Sequence, residues 1–453
     1  MSEGRKEEPP AAVPEGAIRH GETLSRWDWV EPSVWTARML EALIEGPKGG
    51  RWYSLIDKVA KGANLRAAWE QVRRNGGAPG VDRVTIEMFE KRQEEELSRL
   101  GQEVRSGSYV PQAIRRIFIP KPGRPGEERP LGIPTVRDRV VQTAMRNVLE
   151  PIFEVGFAEH SYGFRPKRGA MDALRRVDGL IDAGHLHVVD ADLKAYFDSI
   201  PHDRLLQLIR ERVIDGRVLG ILEAWLKQEI MDGAASWTPA QGSPQGAVIS
   251  PLLANVYLDE LDHLMKSAGY EMVRYADDFV VLCRDRSSAE IALNLVKEWT
   301  AKVGLTLHPE KTRLVDLADD GEFTFLGYKF RKSGHWPSKK AEAKLRDAVR
   351  PLTPRKGGTS MECTIERLNP VLKGWFNYFK HTRTWVFKAL DGWVRTRLRA
   401  QLWRHSRRTR FNWDAAKVIW PNDFFHRLGL FSFDRAHREA TAQQRLPLQP
   451  ALR

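Results

Sequence analysis

The stretch Arg274–Cys283 reads RYADDFVVLC, an apolar run that two adjacent aspartates interrupt at its centre. We predict a β-hairpin with Met272–Ala276 and Phe279–Cys283 as its strands and Asp277-Asp278 as its two-residue turn. Such a turn normally takes Asn-Gly or Asp-Gly, because a positive φ is unfavourable for a residue with a side chain. Two repelling carboxylates at this position leave two interpretations open: a solvated turn, or a site for a hard divalent cation such as Mg²⁺.

A second acidic strand end precedes this hairpin, in the segment HLHVVDADLKAYFDSI. Alternation along the strand places Asp190 and Asp192 on the same face as Leu186. Asp192 lies where the apolar run ends, Asp190 is the alternative one step further into the strand, and Asp198 follows in the turn. Phosphoryl transfer by two metal ions about 3.5–4 Å apart requires carboxylates from separate strands. The pattern therefore makes the end of this strand, at Asp192 or Asp190, and the Asp277-Asp278 turn candidate sources of such carboxylates.

Basic residues concentrate towards the end of the chain. Residues 331–410 contain 21 Lys or Arg against 5 Asp or Glu, whereas the whole chain has a formal net charge of +13. Tryptophan and phenylalanine are interleaved with these basic residues, which is typical of a phosphate-binding surface. An ordinary solvated helical surface, the alternative, would mix both signs of charge. We predict a helix here whose apolar face carries Leu390, Val394 and Leu398 and whose opposite face carries Arg395, Arg399 and Arg407.

Several classes of protein are excluded by composition. The two cysteines, Cys283 and Cys363, form no CxxC pair, which argues against a disulfide framework or a cysteine zinc site. The first residues are polar and rich in Pro and Glu, so we expect neither a signal peptide nor a membrane anchor. No run approaches the roughly 18 apolar residues of a membrane span.

Seven segments extend the pattern in order between Arg129 and Tyr328, within a similarity that runs from about Asn64 to Arg410. They read RPLGIPTVRDRVVQ, HSYGFRPKRGA, DADLKAYFDSI, SPQGAVISPLLANVYL, RYADDFVVL, GLTLHPEKT and FLGY. Taken together, these segments make the chain resemble a bacterial group II intron-encoded reverse transcriptase/maturase. The resemblance implies an α+β fold: a right-hand polymerase, whose fingers and palm are built on an antiparallel sheet, followed by an α-helical thumb or maturase domain.

Composition, which predicts the leader and the linker, and the resemblance together predict the domain boundaries. Many family members continue into an HNH endonuclease that carries cysteine pairs, and this sequence has no such pair. We therefore expect a member without that domain, which takes its primer from nascent DNA at a replication fork.

The expected parts of the chain are a disordered leader (1–25), a helical N-terminal extension (26–95), fingers and palm (96–331), a linker (332–358), the thumb or maturase domain (359–430) and a C-terminal tail (431–453).

Matching motifs assign site residues by the same resemblance. The implied catalytic residues, which are also the ligands of two Mg²⁺ ions, are Asp192, Asp277 and Asp278. The implied nucleotide-binding residues are Lys121, Arg129, Phe197, Gln245 and Lys311. The implied primer grip is Phe325, Leu326, Gly327 and Tyr328. The implied RNA-binding arginines are Arg395, Arg399, Arg404, Arg407 and Arg408.

For each nucleotide-site residue, the resemblance implies a role in substrate binding, and an alternative structural or surface role stays open. Phe197 matches an aromatic gate that excludes a ribose 2′-hydroxyl, or it packs in the core. Lys121 and Arg129 would grip the triphosphate, or they are solvated loop charges. Gln245 would lie beside the nascent base pair, or it is simply a residue of the SPQG turn. Lys311 would protonate the leaving pyrophosphate, or it is a solvated surface charge.

The resemblance implies an RNA-directed DNA polymerase that also binds its intron RNA to promote splicing and retrohoming. Its partners would be group II intron RNA, an RNA template with a DNA primer, dNTPs and target DNA, with no membrane, and a homodimer stays open. The expected location is the bacterial cytoplasm, on the nucleoid when DNA is bound. The alternatives are an RNA-binding maturase or chaperone with a vestigial polymerase, and a domesticated reverse transcriptase in host defence. Clustered carboxylates favour the polymerase, because near RNA they would otherwise only repel phosphate.

Overall fold

The computed structural model describes residues 25–45, 50–120, 126, 128–354, 359–382, 384–406 and 411–445. The predicted leader apart from residue 25, and the candidates Lys121, Arg407 and Arg408, lie outside these ranges. No helix within the described ranges is long and apolar enough to cross a membrane.

Helices and strands alternate through the first three quarters of the chain, and helices follow. The helices are α1 (Ala37–Glu45), α2 (Ile56–Val59), α3 (Gly62–Asn75), α4 (Ile86–Glu90), α5 (Gln93–Ser106), α6 (Val136–Glu154), α7 (Ala170–Asp182), α8 (Tyr196–Ser199), α9 (His202–Arg210), α10 (Gly216–Leu226), α11 (Ser250–Ser267), α12 (Arg286–Lys302), α13 (Lys339–Leu352), α14 (Met361–Phe379), α15 (Thr384–His405), α16 (Trp413–Ile419), α17 (Asn422–Arg427) and α18 (Phe433–Arg445). The strands are β1 (Ile114–Pro120), β2 (Glu128–Ile133), β3 (His187–Asp192), β4 (Ile230–Asp232), β5 (Ala235–Trp237), β6 (Glu271–Tyr275), β7 (Asp278–Cys283), β8 (Arg313–Asp316), β9 (Phe323–Phe325), β10 (Tyr328–Arg331) and β11 (Gly334–Pro337).

Three sheets organise these strands. The palm sheet has the order β6-β7-β3-β8, with every neighbouring pair antiparallel. The fingers sheet has the order β2-β1-β4-β5 and is antiparallel except between β1 and β4. A small antiparallel sheet, β11-β10-β9, follows the palm. The predicted α+β fold with an antiparallel palm is confirmed.

Both faces of the palm sheet are covered, which explains its consecutive apolar residues. Val189, Phe279 and Val281 belong to a core that also contains the N-terminal helices and α11. Val188 and Val280 point the other way, into a second core formed with α7 and the small sheet. A strand buried on both faces shows a continuous apolar run instead of alternation.

The predicted linker was wrong. Residues 334–337 form β11, and α13 follows from Lys339 to Leu352. The Ser338 hydroxyl caps α13 by accepting a hydrogen bond from the Ala341 backbone N–H, and Leu345 and Val349 are buried. Charged residues fill the exposed face of this helix, so composition alone hid its amphipathic pattern.

The predicted C-terminal tail was also wrong in part. Residues 433–445 form α18, and Phe433 is fully buried in the thumb core, stacked on Phe387 of α15 with ring centroids 6.2 Å apart. Asp391 of α15 accepts hydrogen bonds from the Phe433 and Asp434 backbone N–H groups and so caps this helix from outside. The final helix is therefore part of the thumb.

Candidate active site

The acidic hairpin turns one residue earlier than predicted. Tyr275 pairs with Asp278, so the turn residues are Ala276 and Asp277, and Asp278 is the first residue of β7. The backbone of Ala276 has a φ of 59°, in the left-handed region. This conformation is unfavourable for a residue with a Cβ, and Ala276 adopts it, whereas neither aspartate has a positive φ.

Pairing between two strands brings the predicted carboxylates together. Asp192 of β3 lies directly opposite Asp278 of β7 in the antiparallel register. Asp190, two residues earlier, shares their face, and all three line one cleft of about 1070 Å³. Asp277 is half-buried in the adjoining turn.

The carboxylates experience burial and mutual repulsion. Burial and then the charges of Asp190, Asp192 and Asp277 raise the pKa of Asp278 to about 8, although the Leu326 backbone N–H opposes this by hydrogen bonding. Burial, and less strongly the charge of Asp192, raise the pKa of Asp277. Burial also raises the pKa of Asp190. This site therefore holds more negative charge than its protein surroundings neutralise.

Two basic side chains partly compensate for it. The Lys311 ammonium donates a hydrogen bond to the Asp192 carboxylate. Arg313 Nε donates to Asp190 Oδ2 at 3.1 Å, from the residue paired with Asp190 in the sheet. Arginine in a fixed register is a permanent partner, whereas lysine is a point charge on a flexible stem. Asp192 can therefore exchange its lysine partner for another cation more easily than Asp190 can exchange its arginine partner.

The carboxylates fit Mg²⁺ as an open site. In the part of the chain that the structure describes, no group of three or more Asp, Glu, His or Cys side chains is arranged as a complete metal-binding set. Mg²⁺ is commonly held by one or two carboxylates, with waters and substrate phosphates as the remaining ligands. Asp192 and Asp277 offer hard oxygen ligands of this kind, and the repulsion between neighbouring carboxylates favours a cation.

Gln245, one of the predicted nucleotide-site residues, lies in the SPQG turn, which contacts the fingers sheet. Gly132 of β2 donates its backbone N–H to the Gln245 carbonyl at 2.7 Å, which ties the fingers to this turn. Gln245 lines a second cavity of about 360 Å³ beneath the fingers sheet. Arg129, also on β2, is exposed.

Phe197 is half-buried and meets a residue that sequence reasoning missed. Its ring packs edge-on against Phe164, with centroids 6.4 Å apart, and against Tyr196 at 5.6 Å. Phe164 is about half exposed and has a φ of 57°. The segment HSYGFRPKRGA, which contains Phe164, is one of the ordered motifs, but a positive φ at a phenylalanine leaves no signal in the sequence.

The predicted primer grip divides into two kinds of residue. Leu326 and Gly327 form a tight turn with φ values of 50° and 83° and line the aspartate cleft. Phe325 and Tyr328 are buried beside it. The Tyr328 hydroxyl donates to the Tyr378 carbonyl at 2.6 Å, and the Tyr378 hydroxyl donates to the Leu326 carbonyl at 2.8 Å. Tyr328 therefore anchors the turn to the thumb, and neither Phe325 nor Tyr328 has an exposed ring for a primer.

One predicted RNA-binding arginine is placed differently. Arg399 is 5% exposed, and its guanidinium donates to the Trp420 carbonyl at 2.9 Å and to Asn422 Oδ1 at 2.8 Å. Its assignment to an exposed face was wrong, because α16 and α17 fold over that side of α15. Arg395 is half-buried and Arg404 is exposed.

Comparisons with known proteins match both halves of this arrangement. Residues 119–330 match the reverse transcriptase (RNA-dependent DNA polymerase) family, and residues 343–420 match the group II intron maturase-specific domain. Protein YkfC of Escherichia coli (strain K12) is 33% identical over 347 residues, which are 68% of this chain and 86% of YkfC. The chain belongs to the group II intron reverse transcriptase/maturase family.

Further similarities are found to a second intron-encoded protein and to two solved structures. The group II intron-encoded protein LtrA of Lactococcus lactis subsp. cremoris is 38% identical over 169 residues, covering 37% of this chain and 28% of LtrA. A solved telomerase structure from Candida albicans aligns over 80% of this chain and 69% of its own, at 11% identity and a TM-score of 0.43. A partial Cas6-RT-Cas1–Cas2 complex aligns over 55% of this chain and 42% of its own, at 22% identity and a TM-score of 0.35. The predicted family and enzyme class are confirmed.

The raised pKa of Asp278 predicts a pH-dependent stability in metal-free buffer. Its pKa is about 3.9 in an unfolded chain and about 8 in the fold, so folding takes up a proton between these values. The free energy that this proton contributes is complete below about pH 4 and is lost as the pH rises to about 8. Asp278→Asn, which mimics the protonated form, should therefore become progressively more stable than wild type over this range.

Denaturant unfolding in the presence of a chelator at half-unit pH steps measures this difference. The control is Asp319→Asn, the same change at an exposed position. A difference between wild type and Asp278→Asn that stays constant from pH 4 to pH 8 would contradict the prediction.

Proposed function

We propose that this reverse transcriptase copies RNA into DNA with two Mg²⁺ ions and also binds its group II intron RNA to promote splicing and retrohoming. The observation that carries the proposal is the pairing of Asp192 with Asp278, beside Asp277, at the floor of an open cleft. The cleft is continuous with the thumb, which supplies Trp375 and Tyr378 to its wall. Template, primer and intron RNA would be held by adjacent surfaces of one chain.

The reaction joins the primer 3′-oxygen to the α-phosphorus of a dNTP and breaks the bond from that phosphorus to pyrophosphate. When bound, the metal ions would lower the pKa of the attacking hydroxyl and stabilise the charge on both the attacking and leaving oxygens. Asp192 and Asp277 would hold the ions, with Asp278 beside them. Lys311 is within reach of this centre through Asp192, and its ammonium would give the leaving pyrophosphate a proton.

Neighbouring residues would select and place the substrates. Phe197 would lie under the sugar of the incoming nucleotide, with Phe164 supporting its ring. Gln245 would lie beside the nascent base pair, and Arg129, with Lys121, would contact the triphosphate. The backbone of the Leu326–Gly327 turn would support the primer end.

Positive charge on the thumb supports nucleic-acid binding. Lys339, Lys340 and Lys344 of α13 line the aspartate cleft, in the region that composition suggested was a linker. Arg395 and Arg404 of α15 would bind intron RNA through its phosphates, a largely shape- and charge-dependent contact. Since the proposed partners are intron RNA, RNA template with DNA primer, dNTPs and target DNA, the proposed location is the bacterial cytoplasm, on the nucleoid when DNA is bound.

Primer extension on an RNA template tests the polymerase. Wild type with Mg²⁺ and dNTPs should make cDNA, and Asp277→Asn should make none above background, because a neutral amide is a poor ligand for a hard cation. Asp319→Asn, at an exposed position, should extend like wild type. Absence of cDNA with wild type would favour an RNA-binding protein with a vestigial polymerase, and cDNA made by Asp277→Asn would refute the metal assignment.

The same assay with ribonucleotides tests the gate. Phe197→Ala removes the ring that would meet a 2′-hydroxyl, so the ratio of rNTP to dNTP incorporation should rise by about 10-fold or more, the value of a lost steric contact of 1–3 kcal/mol. Phe197→Tyr keeps the ring and should keep discrimination. If Phe197→Ala and wild type discriminate equally between rNTPs and dNTPs, Phe197 has only a packing role.

Substitution of the two thumb arginines, Arg404 and Arg399, should have different effects, one on RNA binding and the other on stability. Arg404→Ala removes an exposed charge, so RNA affinity should fall and the slope of log affinity against log salt should decrease by about 1, with an unchanged melting temperature. Protein-assisted splicing of the cognate intron at low Mg²⁺ should slow accordingly.

Arg399→Ala should instead lower stability by about 1–3 kcal/mol, because it leaves the Trp420 carbonyl and the Asn422 side chain unpaired. An unaltered salt slope for Arg404→Ala would remove this residue from the RNA surface.

A further inference from the structure

A fully buried arginine lies beneath the turn that carries Asp277. The side chain of Arg274 has no exposed surface, and neither has its partner Asp262 on α11. Arg274 Nε donates to Asp262 Oδ1 at 2.8 Å, and Nη2 donates to the other carboxylate oxygen. Nη1 donates to Asn255 Oδ1 and to the Ala276 carbonyl, each at 2.9 Å.

Burial of this ion pair has no explanation in stability alone. Replacing a buried ion pair by apolar residues of similar volume is often neutral or stabilising, so such a pair is weak evidence for a stabilising role. The bond from Arg274 to the Ala276 carbonyl is different in kind, because it reaches into the catalytic turn. Ala276 holds a φ of 59°, a conformation that a residue with a Cβ adopts only when its surroundings impose it.

The turn is also held from its other side. Tyr162 donates its backbone N–H to the Arg274 carbonyl at 2.9 Å. A Cβ on Gly163 would lie 2.2 Å from the Ala276 nitrogen, so this glycine packs directly on the turn. The Asn255 side chain donates to the Gly163 carbonyl at 2.8 Å, which joins both contacts into one network.

One helix anchors this network near the nucleotide side of the site. Asn255 and Asp262 both lie on α11, which begins at Ser250, shortly after the SPQG turn that contains Gln245. The Ser250 hydroxyl donates to the Pro244 carbonyl of that turn at 2.9 Å. The same helix therefore contacts the Gln245 turn at its start and, further along, holds Arg274, which bonds to the Asp277 turn.

We propose that Arg274 is a positioning residue for Asp277: its bond to the Ala276 carbonyl, braced by Asp262 and Asn255, holds the turn that aims this carboxylate at the metal site. The inference rests on the proposed role of Asp277 as a metal ligand. Arginine suits the task because its planar fork reaches three acceptor groups at once. Lysine at this position keeps the charge near Asp262 but, with one nitrogen, releases the turn.

Metal binding without substrate tests the proposal. Mn²⁺ affinity is measured by titration calorimetry, and the Mg²⁺ concentration for half-maximal primer extension is measured beside it. Arg274→Lys should weaken Mn²⁺ binding and raise the Mg²⁺ requirement by about tenfold, the factor expected from an unsupported left-handed turn. Adding Ala276→Gly should recover part of the Mn²⁺ affinity, because glycine adopts this φ without support.

Arg399→Lys is the matched control, since Arg399 is also buried and hydrogen-bonded but lies in the thumb. It should lower the melting temperature without altering Mn²⁺ affinity. If Arg274→Lys does not fold, Asn255→Ala removes one brace and keeps the ion pair, and its Mn²⁺ affinity should fall by a smaller factor.

The outcomes separate the two proposals. Wild-type Mn²⁺ affinity and Mg²⁺ requirement in Arg274→Lys, or no recovery on adding Ala276→Gly, would overturn the positioning role. An unchanged Mn²⁺ affinity in Asn255→Ala would do the same. Asp277→Asn that binds Mn²⁺ like wild type would instead overturn the metal assignment on which the inference rests.

Discussion

The arrangement of this reverse transcriptase depends on one pairing, in which β3 and β7 place Asp192 opposite Asp278. Antiparallel register brings these side chains close together, and like charges directly opposite one another destabilise a sheet. Burial then raises the pKa of Asp278 to about 8. The surrounding protein must therefore hold an unfavourable cluster of carboxylates in place.

Different elements share this task. Lys311 and Arg313 supply charge from the segment around β8, and the apolar cores on both faces of the palm sheet keep the strands in register. Arg274 supports the Asp277 turn from below, and Tyr378 ties the Leu326 turn to the thumb. Strain at Ala276 and Leu326, both with positive φ, is concentrated around the carboxylates, as expected where function and not stability sets the geometry.

The sequence predicted features that a motif encodes by its own residues. It did not predict features that depend on which distant segments pack against a residue. The ordered motifs predicted the family and the α+β fold with its palm, and the apolar runs predicted strands. The linker was wrong because α13 exposes its lysines and buries only a narrow stripe that includes Leu345 and Val349. Arg399 was misplaced because periodicity describes a helix face and cannot say that α17 covers it.

The sequence by itself determined which residues are acidic, basic or apolar and in what order, and this was enough for the fold class, the family and the candidates Asp192 and Asp277. Tertiary structure alone decided which carboxylates meet, because β3 and β7 pair across a long sequence separation. It also decided that Ala276 takes the strained turn position and that Arg274 lies beneath it. Backbone conformation and burial result from contacts between distant segments, and no local pattern records those contacts.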